Sequence, residues 1–390
     1  MFKIQTLNKI SSVGLSLLPL DNYESASEIS HPDAILVRSF KMHDMEIPES
    51  LLAIGRAGAG VNNIPVDKCS ENGIVVFNTP GANANAVKEL VLASLFLSSR
   101  DIVGGIQWAK ALIGKGDEVP KLVEKGKSGY VGPEISGKTL GIIGLGAIGR
   151  LVANAAESLG MKVIGYDPYI SVDAAWGLSQ HIKKAKGFEH LFSQSDYVSL
   201  HLPLTDDTRN LIDKSKFKMM KERVRILNFA RGGLIHEADL MEALDSGKVA
   251  RLVTDFPNEN MLKHEKIIGI PHLGASTPES ESNCAVMAIN QVREYLENGN
   301  IKNSVNFPEA EMPRNGSCRL CIVNQNIPKM VGQITTVLAN EDINIEEMLN
   351  RHHMGLAYNI IDVDQPVTDD QLIKIKSIEG VIRVRTIQSE

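Results

Sequence analysis

The sequence has few cysteines and no long apolar segment, and these absences exclude several classes of protein. Only four of its 390 residues are cysteine, which is too few for a fold held together by disulfides and typical of a reducing compartment. No apolar segment approaches the roughly 20 residues that a membrane-spanning helix needs. The apolar residues 13–20 are interrupted by Ser16 and Pro19 and precede no small-residue cleavage site. We therefore expect no signal peptide, no membrane partner and a cytoplasmic location.

Excess positive charge is also absent, which argues against a polyanionic partner. The formal net charge is −6, and the longest basic cluster, residues 183–186, is short enough to be a solvated helix face. Cys318 and Cys321 have the spacing C-x-x-C, but they lie in a strand-like run, where positions i and i+3 point to opposite faces. No second pair completes a zinc site. The sequence predicts no nucleic-acid partner, no metal and a structural role for both cysteines.

The most informative segment is an apolar run, residues 139–150, that ends in glycines with the spacing G-x-G-x-x-G. A helical pattern follows, and the next apolar run ends at Asp167, an order that indicates a dinucleotide site. Gly144 allows the tight turn, Gly146 lets a pyrophosphate approach the backbone, and Gly149 lets the helix pack closely on the sheet. Asp167 is placed to bind the adenosine ribose and to repel a 2′-phosphate, so the predicted cofactor is NAD rather than NADP.

The length and the order of the apolar runs predict three domains. A chain of 390 residues with 43% hydrophobic content exceeds one ordinary domain. The predicted fold class is α/β, with a Rossmann-type NAD-binding domain inserted into a discontinuous, flavodoxin-like substrate domain, and a ferredoxin-like βαββαβ domain at the C-terminus. The predicted boundaries are 1–95 and 279–305 for the substrate-binding domain, 96–278 for the NAD-binding domain, 306–317 for a linker and 318–390 for the C-terminal domain.

Arg231 and His272 each follow a predicted strand, at the edge where an open parallel sheet places its ligands. A guanidinium at that edge can bind a carboxylate through two parallel hydrogen bonds and polarise an adjacent carbonyl, although a surface salt bridge is the alternative. An imidazole titrates in the range needed to accept a hydroxyl proton. The pair predicts oxidation of a hydroxy acid. His201 also ends a strand, and we expect it to line the cofactor pocket.

Two further arginines lie in the first domain. Arg38 ends an apolar strand, and Arg56 begins a glycine-rich loop that includes Gly58. The backbone N–H groups of such a loop suit a small anion. Either arginine alone would be unremarkable, but together with the loop they predict a substrate that carries two negative groups.

These motifs, in this order, resemble the D-isomer-specific 2-hydroxyacid dehydrogenases. The resemblance rests on the glycine fingerprint with Asp167 and on residues 36–39, 55–58, 78–80, 201–205, 228–233, 253–255 and 271–277. It implies that Arg231 holds the substrate and that His272 is the acid/base. It also implies that Arg38, Arg56 and Gly58 bind a small phosphorylated hydroxy acid. The residues implied to contact NAD are Thr79, Gly144, Gly146, Ala147, Ile148, Gly149, Asp167, His201, Leu202, Phe229, Ala230, Asp255, Gly274 and Ala275.

One departure from the family concerns the acid that orients the catalytic histidine. Members follow an Asp-Val-Phe segment with Glu-Pro, and that glutamate is the orienting acid. The segment Asp255-Phe-Pro-Asn-Glu259 lacks Glu-Pro, and the loop to His272 is shortened. Glu259 is the nearest candidate and our third predicted catalytic residue. Two alternatives stay open: Asp255 takes the role, or the partner is missing.

The C-terminal domain resembles an ACT domain, a small-molecule regulatory module common on enzymes of amino-acid pathways. Asn324 and Asn326 match its ligand loop, and Asn344 matches the residue that reaches across a dimer. The resemblance implies an amino-acid effector such as L-serine, although serine-sensing versions often have His at the position of Asn324. A ferredoxin-like dimerisation unit without a ligand is the alternative. We expect a homodimer or homotetramer.

Two other functions stay open on the sequence alone. One is a different dehydrogenase of the same family, such as a hydroxypyruvate or 2-oxoglutarate reductase. The paired arginines and the ACT-like domain argue against it. The other is a non-catalytic, NAD-sensing binding protein on the same fold, similar to the dehydrogenase-related corepressors. The sequence favours an NAD-dependent enzyme that oxidises a phosphorylated 2-hydroxy acid.

Overall fold

The structure, a computed structural model, describes residues 1–388. The chain divides into two compact units, Met1–Asn83 with Pro278–Glu390 and Ala84–Thr277. Among the described residues, no helix is both long enough and apolar enough to cross a membrane. The same residues contain no group of three His, Cys, Asp or Glu side chains arranged to hold a metal ion.

The first unit begins with a five-stranded parallel sheet. Its elements are β1 (Phe2–Leu7), α1 (Ser12–Leu15), β2 (Tyr23–Ala26), β3 (Ala34–Val37), β4 (Ala53–Arg56), α2 (Val66–Glu71) and β5 (Val75–Phe77). The strands lie in the order β2-β1-β3-β4-β5, which is the predicted flavodoxin-like order. The fully apolar strands β3 and β5 are buried along their whole length, as in a parallel sheet covered on both faces.

The second unit carries a seven-stranded parallel sheet. Its elements are α3 (Ala84–Ser99), α4 (Ile102–Lys110), α5 (Val119–Gly126), β6 (Thr139–Ile143), α6 (Ala147–Ser158), β7 (Lys162–Tyr166), α7 (Val172–Trp176), β8 (Lys183–Lys184), α8 (Phe188–Gln194), β9 (Tyr197–Leu200), α9 (Lys214–Met219), β10 (Val224–Asn228), α10 (Glu237–Asp245), β11 (Val249–Thr254), α11 (Glu259–Leu262) and β12 (Ile267–Gly269). The order β12-β11-β10-β9-β6-β7-β8 confirms the predicted Rossmann topology. The carboxyl ends of β6, β10 and β11 therefore meet at one edge.

Helix α3 lies in the second unit, although the predicted boundary placed residues 84–95 in the substrate domain. Its buried side chains Val87, Val91 and Leu95 belong to the same core cluster as Val152 of α6. These three positions repeat every four residues, so they form one apolar stripe along the helix. Such a stripe predicts that the helix packs on a sheet, but it does not identify which sheet.

Helix α12 (Pro278–Asn298) returns the chain to the first unit, as the predicted discontinuous domain requires. Its buried residues Ala288 and Val292 join the core beneath the five-stranded sheet. A methyl group added to Gly55 of β4 would lie 2.8 Å from the Val292 Cγ2 atom. The helix thus packs so closely on β4 that only glycine fits there.

The predicted linker, residues 306–317, belongs to the first unit and packs into its core over much of its length. Phe307, Ala310 and Met312 are buried in its core. The Asn306 side chain accepts a hydrogen bond from the Val76 backbone N–H at 2.9 Å and donates one to the Ile74 carbonyl at 2.9 Å. A composition rich in Asn, Pro and Gly predicted a loop. However, the Asn306 amide makes the two hydrogen bonds that the backbone of a further strand would make to the chain at β5.

The C-terminal part of the first unit is a four-stranded antiparallel sheet with two helices. Its elements are β13 (Cys318–Gln325), α13 (Met330–Asn340), β14 (Ile345–His353), β15 (Leu356–Val363), α14 (Asp369–Lys376) and β16 (Val381–Gln388). The order β14-β15-β13-β16 confirms the predicted βαββαβ fold. Cys318 packs with the core of this sheet and its helices, whereas Cys321 packs with the core that contains Tyr295. The two thiols thus face opposite sides of the sheet, as predicted.

One face of the C-terminal sheet packs against the end of α12. The Tyr358 hydroxyl donates a hydrogen bond to the Gly299 carbonyl at 2.6 Å. The Arg385 guanidinium lies 4.2 Å from the Tyr295 ring centroid and donates hydrogen bonds to the carbonyls of Tyr295 and Leu296. A cation at the carboxyl end of a helix satisfies its free carbonyls and its negative dipole end. Arg385 therefore caps α12.

Candidate active site

The glycine turn between β6 and α6 has a different constraint at each glycine. Gly144 has φ +90°, and a methyl group there would collide with the His201 carbonyl. A methyl group on Gly149 would collide with the Gly144 carbonyl, so the helix can approach the turn only without a side chain. At Gly146, by contrast, nothing lies within 4 Å of the added atom. This open space at the start of a helix fits the pyrophosphate of a dinucleotide.

Asp167, directly after β7, holds the glycine turn in place. Its Oδ2 atom accepts a hydrogen bond from the Leu145 backbone N–H at 2.8 Å, and its Oδ1 atom accepts one from the Tyr169 N–H at 2.9 Å. Each carboxylate oxygen can accept a further hydrogen bond, which leaves capacity for ribose hydroxyls. Sequence reasoning predicted the ligand role of Asp167 and missed this bracing role.

His201 lies beneath the glycine turn as a neutral group. Its Nε2 atom is 2.9 Å from the Ser199 hydroxyl, and its Nδ1 atom is shielded from solvent. Burial lowers the pKa of the imidazole to about 4, so the ring is uncharged at neutral pH. The next residue, Leu202, lies against Gly144. A neutral ring at this position can line a pocket but cannot exchange protons near pH 7.

Arg231 projects from a short turn that Asn228 holds together. The Asn228 side chain accepts a hydrogen bond from the Ala230 N–H at 3.2 Å and donates one to the Arg231 carbonyl at 2.9 Å. The Arg231 Nη1 atom donates to the Ala230 carbonyl at 2.7 Å. Because a guanidinium has five N–H donors, this bond orients the side chain and leaves donors for a carboxylate.

Asp255, directly after β11, is a buried carboxyl beside Arg231 and His272. Burial raises its pKa, while the nearby charges of His272 and Arg231 and the Gly274 backbone N–H oppose that rise. Asp255 is 3% exposed, and none of the described ion pairs joins it to either residue. All three residues follow strands of the parallel sheet in the second unit, so they lie at its carboxyl edge.

His272 is exposed, and its ring packs on Phe256. The two ring centroids are 4.7 Å apart with an interplanar angle of 54°. Phe256 follows Asp255 directly, so one short segment supplies both the carboxyl near the imidazole and the ring that supports it. Sequence reasoning missed Phe256. Its place immediately after a strand-end acid was the available signal.

Glu259, the predicted third catalytic residue, lies at the surface in the first turn of α11. Its carboxylate pairs with Lys263 at 2.8 Å, and its side chain is 85% exposed. Among the described contacts, Glu259 makes none with His272. Only four residues separate β11 from α11, and helical geometry brings Glu259 beside Lys263 four residues later. Of the two candidate acids, Asp255 is therefore the one with a described electrostatic interaction with His272.

The predicted phosphate-binding residues lie together at the carboxyl edge of the first sheet. Arg56 is the register partner of Val37, which precedes Arg38. The Arg56 guanidinium lies directly over Gly58, where any side chain would collide with it. The Gly58 carbonyl accepts a hydrogen bond from the Thr79 N–H at 3.1 Å. Arg38 forms an ion pair with Glu281 of α12 at 2.7 Å, a contact that the sequence did not predict.

Two of the predicted effector residues, Asn324 and Asn326, lie at one end of the C-terminal sheet, and the third, Asn344, lies at the opposite end. Asn324 is buried and accepts a hydrogen bond from the Asn359 side chain at 2.7 Å, and Asn359 in turn accepts one from Asn350 at 2.6 Å. Asn326 is exposed in the loop after β13, and Asn344 is exposed just before β14. A row of three amides across three strands thus runs behind the loop. Sequence reasoning identified only its first member.

Comparison with known proteins adds a family match in the second unit. Residues 103–274 match the NAD-binding domain of the D-isomer specific 2-hydroxyacid dehydrogenases. This segment contains the glycine turn, Asp167, Arg231, Asp255 and His272. The glycine turn and the sheet edge with Arg231, Asp255 and His272 therefore lie within a recognised NAD-binding domain.

Curated relatives match over both units. A D-3-phosphoglycerate dehydrogenase of Methanocaldococcus jannaschii is 33% identical over 355 residues, which cover 89% of this chain and 64% of that protein. One from Haemophilus influenzae is 31% identical over 355 residues and is covered to 83%. The chain spans less than two thirds of several curated relatives, including the one from Bacillus subtilis at 59%.

A solved structure with a similar fold is the NAD⁺-bound 3-phosphoglycerate dehydrogenase of Entamoeba histolytica. It is 27% identical, with a TM-score of 0.61, and the alignment covers 78% of this chain and 98% of the other. Similarity in sequence and in fold thus points to the same group of proteins.

Proposed function

Because the chain belongs to the D-isomer-specific 2-hydroxyacid dehydrogenases, among relatives of D-3-phosphoglycerate dehydrogenase, we propose that it oxidises D-3-phosphoglycerate to 3-phosphohydroxypyruvate with NAD. This reaction is the first step of L-serine biosynthesis. The observation that supports it most is that Arg231, Asp255 and His272 follow strands β10, β11 and β12, at the sheet edge that also carries the glycine turn.

The residues around the glycine turn would hold NAD. The open space at Gly146 fits the pyrophosphate, and the carboxylate of Asp167 fits the ribose hydroxyls of a cofactor without a 2′-phosphate. NAD supplies a hydride acceptor next to the substrate. The further residues proposed to contact it are Thr79, Gly144, Ala147, Ile148, Gly149, His201, Leu202, Phe229, Ala230, Asp255, Gly274 and Ala275.

His272 and Arg231 have separate roles in the reaction at the alcohol carbon. The imidazole of His272 accepts the hydroxyl proton while the C2–H bond breaks and its electron pair leaves as hydride, so that the C–O bond becomes a carbonyl. The guanidinium of Arg231 binds the substrate carboxylate and stabilises charge that develops on the carbonyl oxygen. In the reverse direction His272 returns the proton.

Asp255 is proposed to be the acid partner of His272. An ionised carboxyl near the imidazole favours the protonated ring that forms during oxidation. The Phe256 ring packs against the same imidazole. Glu259 is not assigned this role, because its carboxylate lies at the surface with Lys263.

Arg38, Arg56 and the Gly58 loop are proposed to bind the substrate phosphate. Guanidinium groups suit phosphate oxygens through paired hydrogen bonds, and the Arg56 guanidinium lies directly over the turn at Gly58. An unphosphorylated hydroxy acid offers these residues no matching anion. They therefore favour a phosphorylated substrate.

The C-terminal sheet is proposed to be an ACT domain that binds an amino-acid effector such as L-serine in a homodimer or homotetramer. Asn324 and Asn326 would contact the effector on one protomer, and Asn344 would contact it from the partner. The row Asn324, Asn359 and Asn350, in which the first two residues are buried, fixes the amide of Asn324 in one orientation. A fixed amide can offer a defined donor and acceptor to an amino acid.

Steady-state NADH oxidation tests the proposed activity. Phosphohydroxypyruvate should be reduced at least tenfold more efficiently, by kcat/KM, than hydroxypyruvate or 2-oxoglutarate, and L-serine should change the rate. His272→Ala should abolish turnover but not NADH binding. Preferred reduction of an unphosphorylated acid would indicate another dehydrogenase. NADH binding without any turnover would indicate a sensor protein and would overturn the proposal.

A further inference from the structure

The residue that pairs with Arg38 is an acid located where a substrate anion is proposed to bind. The Glu281 carboxylate lies 2.7 Å from the Arg38 Nη1 atom, and the two side chains are 43% and 35% exposed. Both residues belong to the first unit. A phosphate that binds Arg38 must therefore meet a guanidinium that already has a negatively charged partner.

The fold fixes Glu281 in this position. The residue lies in the first turn of α12, where the positive end of the helix dipole favours a carboxylate. The next residue, Ser282, has its hydroxyl 3.1 Å from the hydroxyl of Ser11. One turn further on, a methyl group added to Gly14 would lie 2.8 Å from Ala285 Cβ, so α1 packs tightly on α12. The helix start cannot move away from Arg38 without losing these contacts.

We propose that Glu281 is a built-in counter-ion that the substrate phosphate displaces from Arg38, so that Glu281 sets the KM for phosphorylated substrates. The inference rests on the proposed function and deepens it. A phosphate dianion carries more charge than a carboxylate and can use two N–H donors of the guanidinium at once. It can therefore displace Glu281, but part of its binding free energy is spent in doing so.

The displaced carboxylate also remains on the same helix turn, close to the bound dianion. Like charges at short distance disfavour binding. Because the pair is partly exposed, both effects are screened and each is small. Removing the charge of Glu281 should therefore strengthen phosphate binding by about two- to fivefold, the range expected for exposed ion pairs.

Glu281→Gln tests the proposal because glutamine has nearly the same shape without the charge. In NADH-dependent reduction, the KM for phosphohydroxypyruvate should fall about two- to fivefold while kcat stays the same. The inhibition constant of inorganic phosphate should fall by the same factor. The matched control is Glu279→Gln, two residues earlier in the same helix turn, which removes the same charge and for which the described structure has no ion pair to an arginine.

Arg38→Ala supplies the second arm of the test. In this background Glu281→Gln should have a smaller effect on either constant, because the competition for Arg38 is gone and only the repulsion between Glu281 and the phosphate remains. An unchanged or raised KM in Glu281→Gln would overturn the proposal, and so would an equal fall in Glu279→Gln, which would show a general field effect.

A failure of the proposed function would be distinguishable. In that case the wild-type chain would not reduce phosphohydroxypyruvate at all, and the pair would be tested by the rise in thermal unfolding midpoint that inorganic phosphate produces. That rise should be larger for Glu281→Gln than for the wild-type chain or Glu279→Gln. Equal rises in all three would overturn the counter-ion role.

Discussion

Arg319 on β13 and Asp362 on the neighbouring strand β15 lie opposite each other and form a fully buried ion pair. The Arg319 Nε and Nη2 atoms lie 2.6 Å and 2.7 Å from the two carboxylate oxygens, and the side chains are 1% and 2% exposed. Arg319 also donates hydrogen bonds to the carbonyls of Asn298, Met312 and Pro313. The pair thus ties the C-terminal sheet to the chain that follows α12.

Asp362→Asn should destabilise the first unit strongly. The substitution leaves the buried guanidinium of Arg319 without its counter-ion, which costs about 3–5 kcal/mol. The urea midpoint of the unfolding transition measures this change. Glu311→Gln is the control, because the ion pair between Lys302 and Glu311 is exposed and such pairs contribute about 0–1 kcal/mol. Equal urea midpoints for the two variants would contradict a stabilising role of the buried Arg319–Asp362 pair.

His201 should make the chain sensitive to mild acid. Its pKa in the folded state is about 4, below the value of roughly 6.5 for an unfolded histidine. Above pH 6.5 the imidazole is neutral in both the folded and the unfolded state, so it does not change the free energy of unfolding. As the pH falls toward 4 only the unfolded state takes up the proton, so stability decreases, by about 2–3 kcal/mol at pH 4.5. His201→Asn should lose less stability between pH 7 and 4.5. Denaturation curves with identical pH dependence for both proteins would refute this.

Asp167→Ala should weaken NADH binding and reduce the preference over NADPH. The variant loses the ribose acceptor and the bond that holds the Leu145 N–H. Loss of a charged hydrogen bond costs about 1.5–3 kcal/mol, so the Kd should rise roughly 10- to 100-fold. NADH fluorescence titration measures it. Asp173→Ala, an exposed acid in the nearby helix α7, is the matched control and should bind NADH like the wild type.

Asp255→Asn and Glu259→Gln distinguish the two candidate partners of His272. If Asp255 stabilises the protonated imidazole, Asp255→Asn should lower the pKa at which His272 loses activity as a base. In the oxidation of D-3-phosphoglycerate, the acid limb of the kcat/KM profile should therefore move to lower pH by about 0.5–1 unit. Glu259→Gln should leave that limb in place, because Glu259 pairs with Lys263. The pH–rate profiles of the three proteins are the measurement, and the opposite pattern would restore Glu259 as the partner.

The parts of the fold that depend on local chain geometry were predictable from the sequence. The glycine turn is the clearest case, because a positive φ at Gly144 and the absence of space at Gly149 are constraints that only glycine meets. The opposite orientation of Cys318 and Cys321 follows in the same way from the alternation of a strand. The flavodoxin-like, Rossmann and βαββαβ orders were also confirmed. Each was predictable because the succession of short strands and helices along the chain indicates it.

The features that depend on contacts distant in sequence were not predictable. The stripe on α3 does not reveal which sheet it covers, and nothing near Asn306 shows that its amide will satisfy the backbone beside β5. The Arg38–Glu281 pair joins positions 243 residues apart in the chain. The exposure of Glu259 depends on where α11 begins. The assignments of cofactor, substrate and effector residues, the cytoplasmic location and the oligomeric state stay predictions.

Hydride transfer to C2 is the central claim, and isotope labelling tests it most directly. The chain would be incubated with phosphohydroxypyruvate and NADH carrying deuterium at C4 of the nicotinamide ring on the transferred face, and the acid product would be analysed by NMR and mass spectrometry. The account predicts one deuterium at C2 of D-3-phosphoglycerate, and no labelled product with His272→Ala or with Arg231→Ala. Product without deuterium, product of the L configuration, or no reduction of phosphohydroxypyruvate would contradict it.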